Sequence, residues 1–139
     1  MSPVSTRILV VATAGAGGDL QPLVAAALAL RERGHEILFV GDASVERTLA
    51  PLAVATKVLP AELDLGPRLI AATREAMSAS GGELAAAGPI VRERMSEWAA
   101  EVARPVAGVV REWRPVAAVT SLFGVEVFAR VPPRAHGRP

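Results

Sequence analysis

Between Thr13 and Pro22 the chain reads TAGAGGDLQP, which places three glycines, an aspartate and a proline within ten residues. Glycine is what a backbone needs where it must turn sharply and let a ligand close to its amide groups. Two phosphate-binding patterns can be tested on this stretch. A GxxxxGK[ST] loop requires a lysine and a hydroxyl, and neither follows Gly18. A GxGxxG dinucleotide pattern is met by Gly15 and Gly17, but its third position is Leu20, where a side chain obstructs close packing of helix on strand. Asp42 stands where a ribose-binding acid would complete that pattern, so an NAD(P)-binding, oxidoreductase-like domain is an alternative reading. Asp19 belongs to the residue types that cap helix amino termini. His35 and His136 lie far apart in a chain without cysteine, which argues against a metal site and excludes disulfides and cysteine nucleophiles.

The flanking elements place this loop. RILVVAT, residues 7–13, is an apolar run rich in β-branched residues, as expected of a parallel strand buried on both faces. A helix follows from about residues 20–22, with Pro22 in its first turn and Gly34 as its left-handed stop; its leucines and alanines predict a largely buried helix. EILFVG, residues 36–41, is a second strand, which completes a right-handed βαβ unit. Ser44 is expected to cap a short helix limited by Pro51, and residues 54–59 form a third strand candidate. Residues 60–67 read as a loop and 68–79 as a helix that ends at Gly81 and Gly82.

From about Gly88 to Trp113, Val91, Met95, Trp98, Val102, Val106, Val109 and Trp113 recur at steps of three and four, the stripe of a helix packed on a sheet; Pro105 is expected to kink or divide it. Residues 116–122 predict a fourth strand and 123–129 a short helix. Together these elements predict an α/β fold, a Rossmann-like doubly wound parallel sheet over residues 1–129, followed by a disordered Pro/Arg-rich tail at 130–139. In such sheets ligands bind at the carboxyl edge of the strands, which is where the glycine loop falls.

TAGAGGDLQPLVAAALALRERGHEILFVGD resembles the start of the amino-terminal domain of family 1 and family 28 glycosyltransferases of the GT-B fold. In that family a glycine-rich turn, a proline and an RGHEV-like segment recur in this order. The likeness is greatest to the bacterial branch that glycosylates sterols, glycopeptides, macrolides and other polyketides, whose loop reads like GxRGDVxP. Gly18, Asp19, Leu20, Gln21 and Pro22 take those places, and Arg33, Gly34, His35 and Glu36 match the second motif.

The resemblance covers about 35 residues, with a faint echo in PVAAVTSLF, residues 115–123. It implies the incomplete, acceptor-binding half of a GT-B enzyme that inverts the anomeric carbon. Sugar would pass from a nucleotide-sugar donor, bound by an absent carboxy-terminal domain, to a hydroxyl of an apolar natural product, sterol or lipid. Asp19 falls where many members carry a catalytic histidine, so it is expected to act as the base, as a helix cap, or as both. Gly15, Gly17, Gly18, Gln21, Thr120 and Ser121 would line the acceptor cleft. No carboxylate occurs in 116–124 to orient a base. The chain is expected to be a truncated form, inactive alone, that self-associates or pairs with its missing half; a non-catalytic auxiliary or interaction protein is the other alternative.

Composition narrows the field. Of 139 residues 51% are hydrophobic, enough for a folded core, while aromatics are only two Trp and three Phe, too few for base-stacking platforms. The net charge of +1 divides into a body with 12 bases against 14 acids and a tail carrying Arg130, Arg134 and Arg138, so no field steers nucleic acid. Uncharged runs at 8–18 and 20–30 are too short to span a membrane, and the first reads as a strand rather than a secretion signal, which predicts a cytoplasmic protein without a cofactor or metal.

Overall fold

The computed structural model describes residues 6–12 and 20–131. Four strands form one parallel sheet in the order β3-β2-β1-β4, where β1 is Arg7–Val11, β2 Glu36–Gly41, β3 Ala55–Val58 and β4 Ala117–Thr120. β1 is central, pairing Leu9 with Leu38 on one side and with Ala118 on the other. That position accounts for its unbroken apolar run, since a strand flanked by neighbours and covered on both faces has no solvent side.

Two helices cover one face. In α1, Leu20–Glu32, the residues Leu20, Leu23, Val24 and Ala27 are buried at helical spacing and pack with Val10, Ala12 and Phe39. Ala25, Ala26 and Ala29 are exposed, so α1 buries one face only; a single helical layer leaves nothing to cover its outer alanines. Gly34, at φ 93°, ends the helix: its N–H donates to Arg31 O and that of His35 to Leu30 O, satisfying two terminal carbonyls. In α2, Ala43–Leu49, the cap is Asp42 and not Ser44: the Asp42 carboxylate accepts from Val45 N and from the Ser44 hydroxyl.

The opposite face carries α3, Leu65–Ala79, α4, Leu84–Trp113, and α5, Leu122–Phe128. Leaving β3 to reach β4, the chain must cross back over β2 and β1, and a right-handed crossover in that direction runs over the other face. Leu9, Val11 and Val40 meet Trp98, Val102, Val106 and Val110 of α4 there. The segment expected to be a loop at 60–67 is partly helical: residues 61–63 form a 3-10 turn and α3 starts at Leu65, because Pro67 fits a first helical turn. α4 likewise begins at Leu84, and it is one helix of 30 residues running through Pro89 and Pro105. The lost backbone bond at Pro105 is outweighed by the buried valines on either side of it, Val102 and Val106.

The indole of Trp98, 2% exposed, donates to Leu63 O at 2.8 Å and ties α4 to the turn after β3. Of the segment set apart as a tail, Arg130 and Val131 belong to the packed structure: Val131 is buried and Arg130 bridges α4 and α5. Residues 132–139 lie outside the described residues. Among the described residues no helix is long and apolar enough to cross a membrane.

Candidate functional site

Parallel strands converge their carboxyl ends on one edge, and an open sheet offers a crevice there where the winding reverses direction. Here the reversal lies between β1 and β4, since β2 and β3 follow on one side of β1 and β4 on the other. Val11 pairs with Thr120 at that edge, and the Thr120 hydroxyl donates to Val11 O at 3.0 Å. Its proton is thereby committed, while its lone pairs stay available as acceptors. Ser121 precedes α5 in extended conformation, and its side chain makes no capping bond.

The loop leaving β1 departs from the same point. Gly15, Gly17, Gly18 and Asp19 lie outside the described residues, and with them the choice between base and cap for Asp19. Gln21 is exposed in the first turn of α1. Leu20 is 1% exposed, a core side chain at the place where a dinucleotide fold needs glycine. Asp42, the acid of that pattern, spends its Oδ1 on the cap of α2. Gly41 beside it is required for close approach: a Cβ there would lie 2.7 Å from Ala12 O and 2.9 Å from the Val45 Cβ. His35 is at the amino end of β2, across the sheet from this edge, hydrogen-bonded to the Thr6 hydroxyl. Among the described residues no three acidic or histidine side chains are grouped to hold a metal.

A larger feature adjoins the crevice. Arg7, at the amino end of β1, donates to Trp113 O at 2.7 Å, so α4 ends at the amino edge and runs antiparallel to the strands. Its 30 residues extend about 45 Å, against about 17 Å for a strand of five. The amino-terminal half of α4 therefore projects past the carboxyl edge, paired with α3 through Ala72, Ala76 and Ala87, and turned back through Gly81 and Gly82 at φ 65° and 89°. Between this hairpin and α5 lies an open groove of about 680 Å³, walled by Leu69, Val91, Met95 and Val125, with Arg92, Ser96 and Glu126 at its polar margin. Arg130 braces that margin: it donates to Glu126 Oε2 at 2.8 Å and to Ser96 Oγ at 2.6 Å. Of four residues in this region that could touch an apolar ligand, Leu63 and Leu65 are core, Met77 is 37% exposed outside the groove, and Leu69 lines it.

Sequence reasoning missed Val91, Met95, Ser96, Val125 and Glu126. The stripe that carries Val91 and Met95 reads as core, and its readable signal was length: an apolar face of α4 that outruns the sheet cannot all be covered by it; Ser96, Val125 and Glu126 carried no such signal.

The electrostatics of the edge are mild. Burial, with the Asp42 carboxylate nearby, pushes Asp64 above the usual carboxylate range, and Arg47 partly offsets this. Asp64 leads into α3 without a capping bond, and its Oδ1 is buried without a partner among the described residues. On the hairpin, the fork of Arg94 grips Glu75 at 2.7 and 2.9 Å and holds that carboxyl below its usual range.

Compared with protein-family models, curated proteins and solved structures, the chain matches none.

Proposed function

We propose that this chain is the acceptor-binding half of an inverting GT-B glycosyltransferase, which offers a hydroxyl of an apolar small molecule to a nucleotide sugar held by a second unit. One observation supports the reading: β1, the central strand that precedes the glycine-rich segment resembling this family, ends where the winding reverses, and an apolar groove opens past that edge between α4 and α5. The nicotinamide alternative is weakened by the buried Leu20 and by the capping duty of Asp42.

In this reading the groove walls hold the apolar body of the acceptor and turn its hydroxyl toward the crevice. Asp19 takes the proton as the oxygen attacks the anomeric carbon and the nucleoside diphosphate leaves from the opposite side. A carboxylate is a weaker base than imidazole in water, so Asp19 serves best if the proton leaves late, when the alcohol has become acidic. The lone pairs of Thr120 and the hydroxyl of Ser121, which makes no capping bond, orient the acceptor.

The test is reconstitution. The chain is combined with the separately expressed donor-binding half of a bacterial family 1 glycosyltransferase, and transfer of labelled glucose from its nucleotide sugar to a panel of sterol and polyketide alcohols is followed. Transfer that needs both proteins and is lost in Asp19→Asn is expected. Calorimetry showing that the chain alone binds a nucleotide sugar at micromolar affinity, or an NAD(P)-dependent thermal shift, would overturn the reading.

A further inference from the structure

The groove between α3, α4 and α5 has apolar walls, but its charges are not balanced. Arg130, which bonds the lining residues Ser96 and Glu126, is engaged at its margin, and elsewhere on the α3–α4 hairpin Arg68 pairs with Glu101 at 2.6 Å and Arg94 with Glu75 and Glu97. Arg92 lines the groove and has no carboxylate within 4.0 Å among the described residues.

The sequence explains why. Partners on a helix stand three or four residues away, and around Arg92 those positions are Gly88, Pro89, Met95 and Ser96, none of them acidic. Glu93 is adjacent in sequence and so points to another side of the helix. The one acid among the lining residues, Glu126, is already paired with Arg130. Among the described residues the groove thus presents an apolar surface beside one guanidinium without an ion-pair partner, a group suited to carboxylate, sulfonate or phosphate oxygens.

We propose that this groove binds a small amphipathic anion, whose ring system or chain lies against Leu69, Val91, Met95 and Val125 while its single acidic group meets Arg92. The groove volume of about 680 Å³ suits one ligand of drug size rather than a protein segment. The binding claim stands on the groove alone; that the anion is also the sugar acceptor rests on the sugar-transfer reading.

Two probes share an apolar body and differ in charge: 8-anilino-1-naphthalenesulfonate and the uncharged N-phenyl-1-naphthylamine. Each is titrated into the full chain without any donor, so the outcome is independent of sugar transfer. One sulfonate probe per chain, bound about fivefold more tightly than the neutral one, is the expected result for a solvent-facing charge pair. Arg92→Gln should bring the sulfonate to parity and leave the neutral probe unchanged, whereas Val125→Asn should weaken both. Val125 is exposed, so neither variant should disturb the fold, which an unchanged near-ultraviolet dichroism verifies. Equal binding of the two probes with Arg92→Gln silent, failure of either probe to respond to Val125→Asn, or concentration-dependent pairing of the chain that Val125→Asn abolishes would each overturn the proposal.

Discussion

Gly124, in the first turn of α5, sits directly over Thr120 at the end of β4: a Cβ added to the glycine would lie 1.6 Å from Thr120 Oγ1 and 2.8 Å from its Cβ. Thr120 cannot turn away freely, because it is β-branched and its hydroxyl is bonded to Val11 O. Gly124→Ala should therefore push α5 off the sheet and destabilise the protein by about 1–3 kcal/mol. Adding Thr120→Ala should recover at least about 0.5 kcal/mol relative to the sum of the single variants, read from urea unfolding. Simple additivity would show that the two residues do not press on each other.

Trp98 holds α4 to the turn after β3 through both packing and its N–H bond to Leu63 O. Trp98→Phe keeps a ring but strands that carbonyl, and should cost about 1–3 kcal/mol. Trp98→Ala should cost about 3–5 kcal/mol. Chemical denaturation of both variants checks the order, and a phenylalanine variant as stable as the parent would remove the hydrogen bond from the account.

Asp64 is held above the usual carboxylate range, so the folded state favours its protonated form. Its contribution to stability is then fully present below the unfolded value, near 3.8, and is lost as pH rises through the higher folded value. Asp64→Asn, which removes the charge at every pH, should raise the urea midpoint at pH 7, and its advantage should close toward pH 3. An advantage that stayed constant across this range would mean that the ionised carboxylate carries no penalty.

Gly34 ends α1 at φ 93° with open space around it. Gly34→Ala meets no clash, only the strain of a left-handed backbone, and should cost about 1 kcal/mol, with Gly34→Asn costing less. Thermal unfolding of the pair measures this, and an alanine variant of parental stability would contradict the strain.

Much of this fold is legible before folding is considered. β1 and β2 stand out because a central parallel strand needs apolar residues on both faces, and α1 ends at the one glycine that a left-handed stop requires. Errors cluster where two residues offer the same local chemistry. Asp42 and Ser44 are both good caps, and the choice fell to Asp42 because β2 ends there and the Ser44 hydroxyl turns inward to it. Pro105 reads as a kink or a division of the helix, and the core contacts of Val102 and Val106 keep α4 undivided.

Local sequence by itself determined the strands and the helix stops, because each depends on backbone preferences and periodicities within some ten residues. Only the tertiary structure decided that Leu69, Val91, Met95 and Val125 face one groove, that Arg130 braces its margin and that Arg92 pairs with no acid among the described residues. Those residues span three helices and more than fifty positions of chain, and no local rule measures how far α4 overreaches a sheet only four to six residues deep.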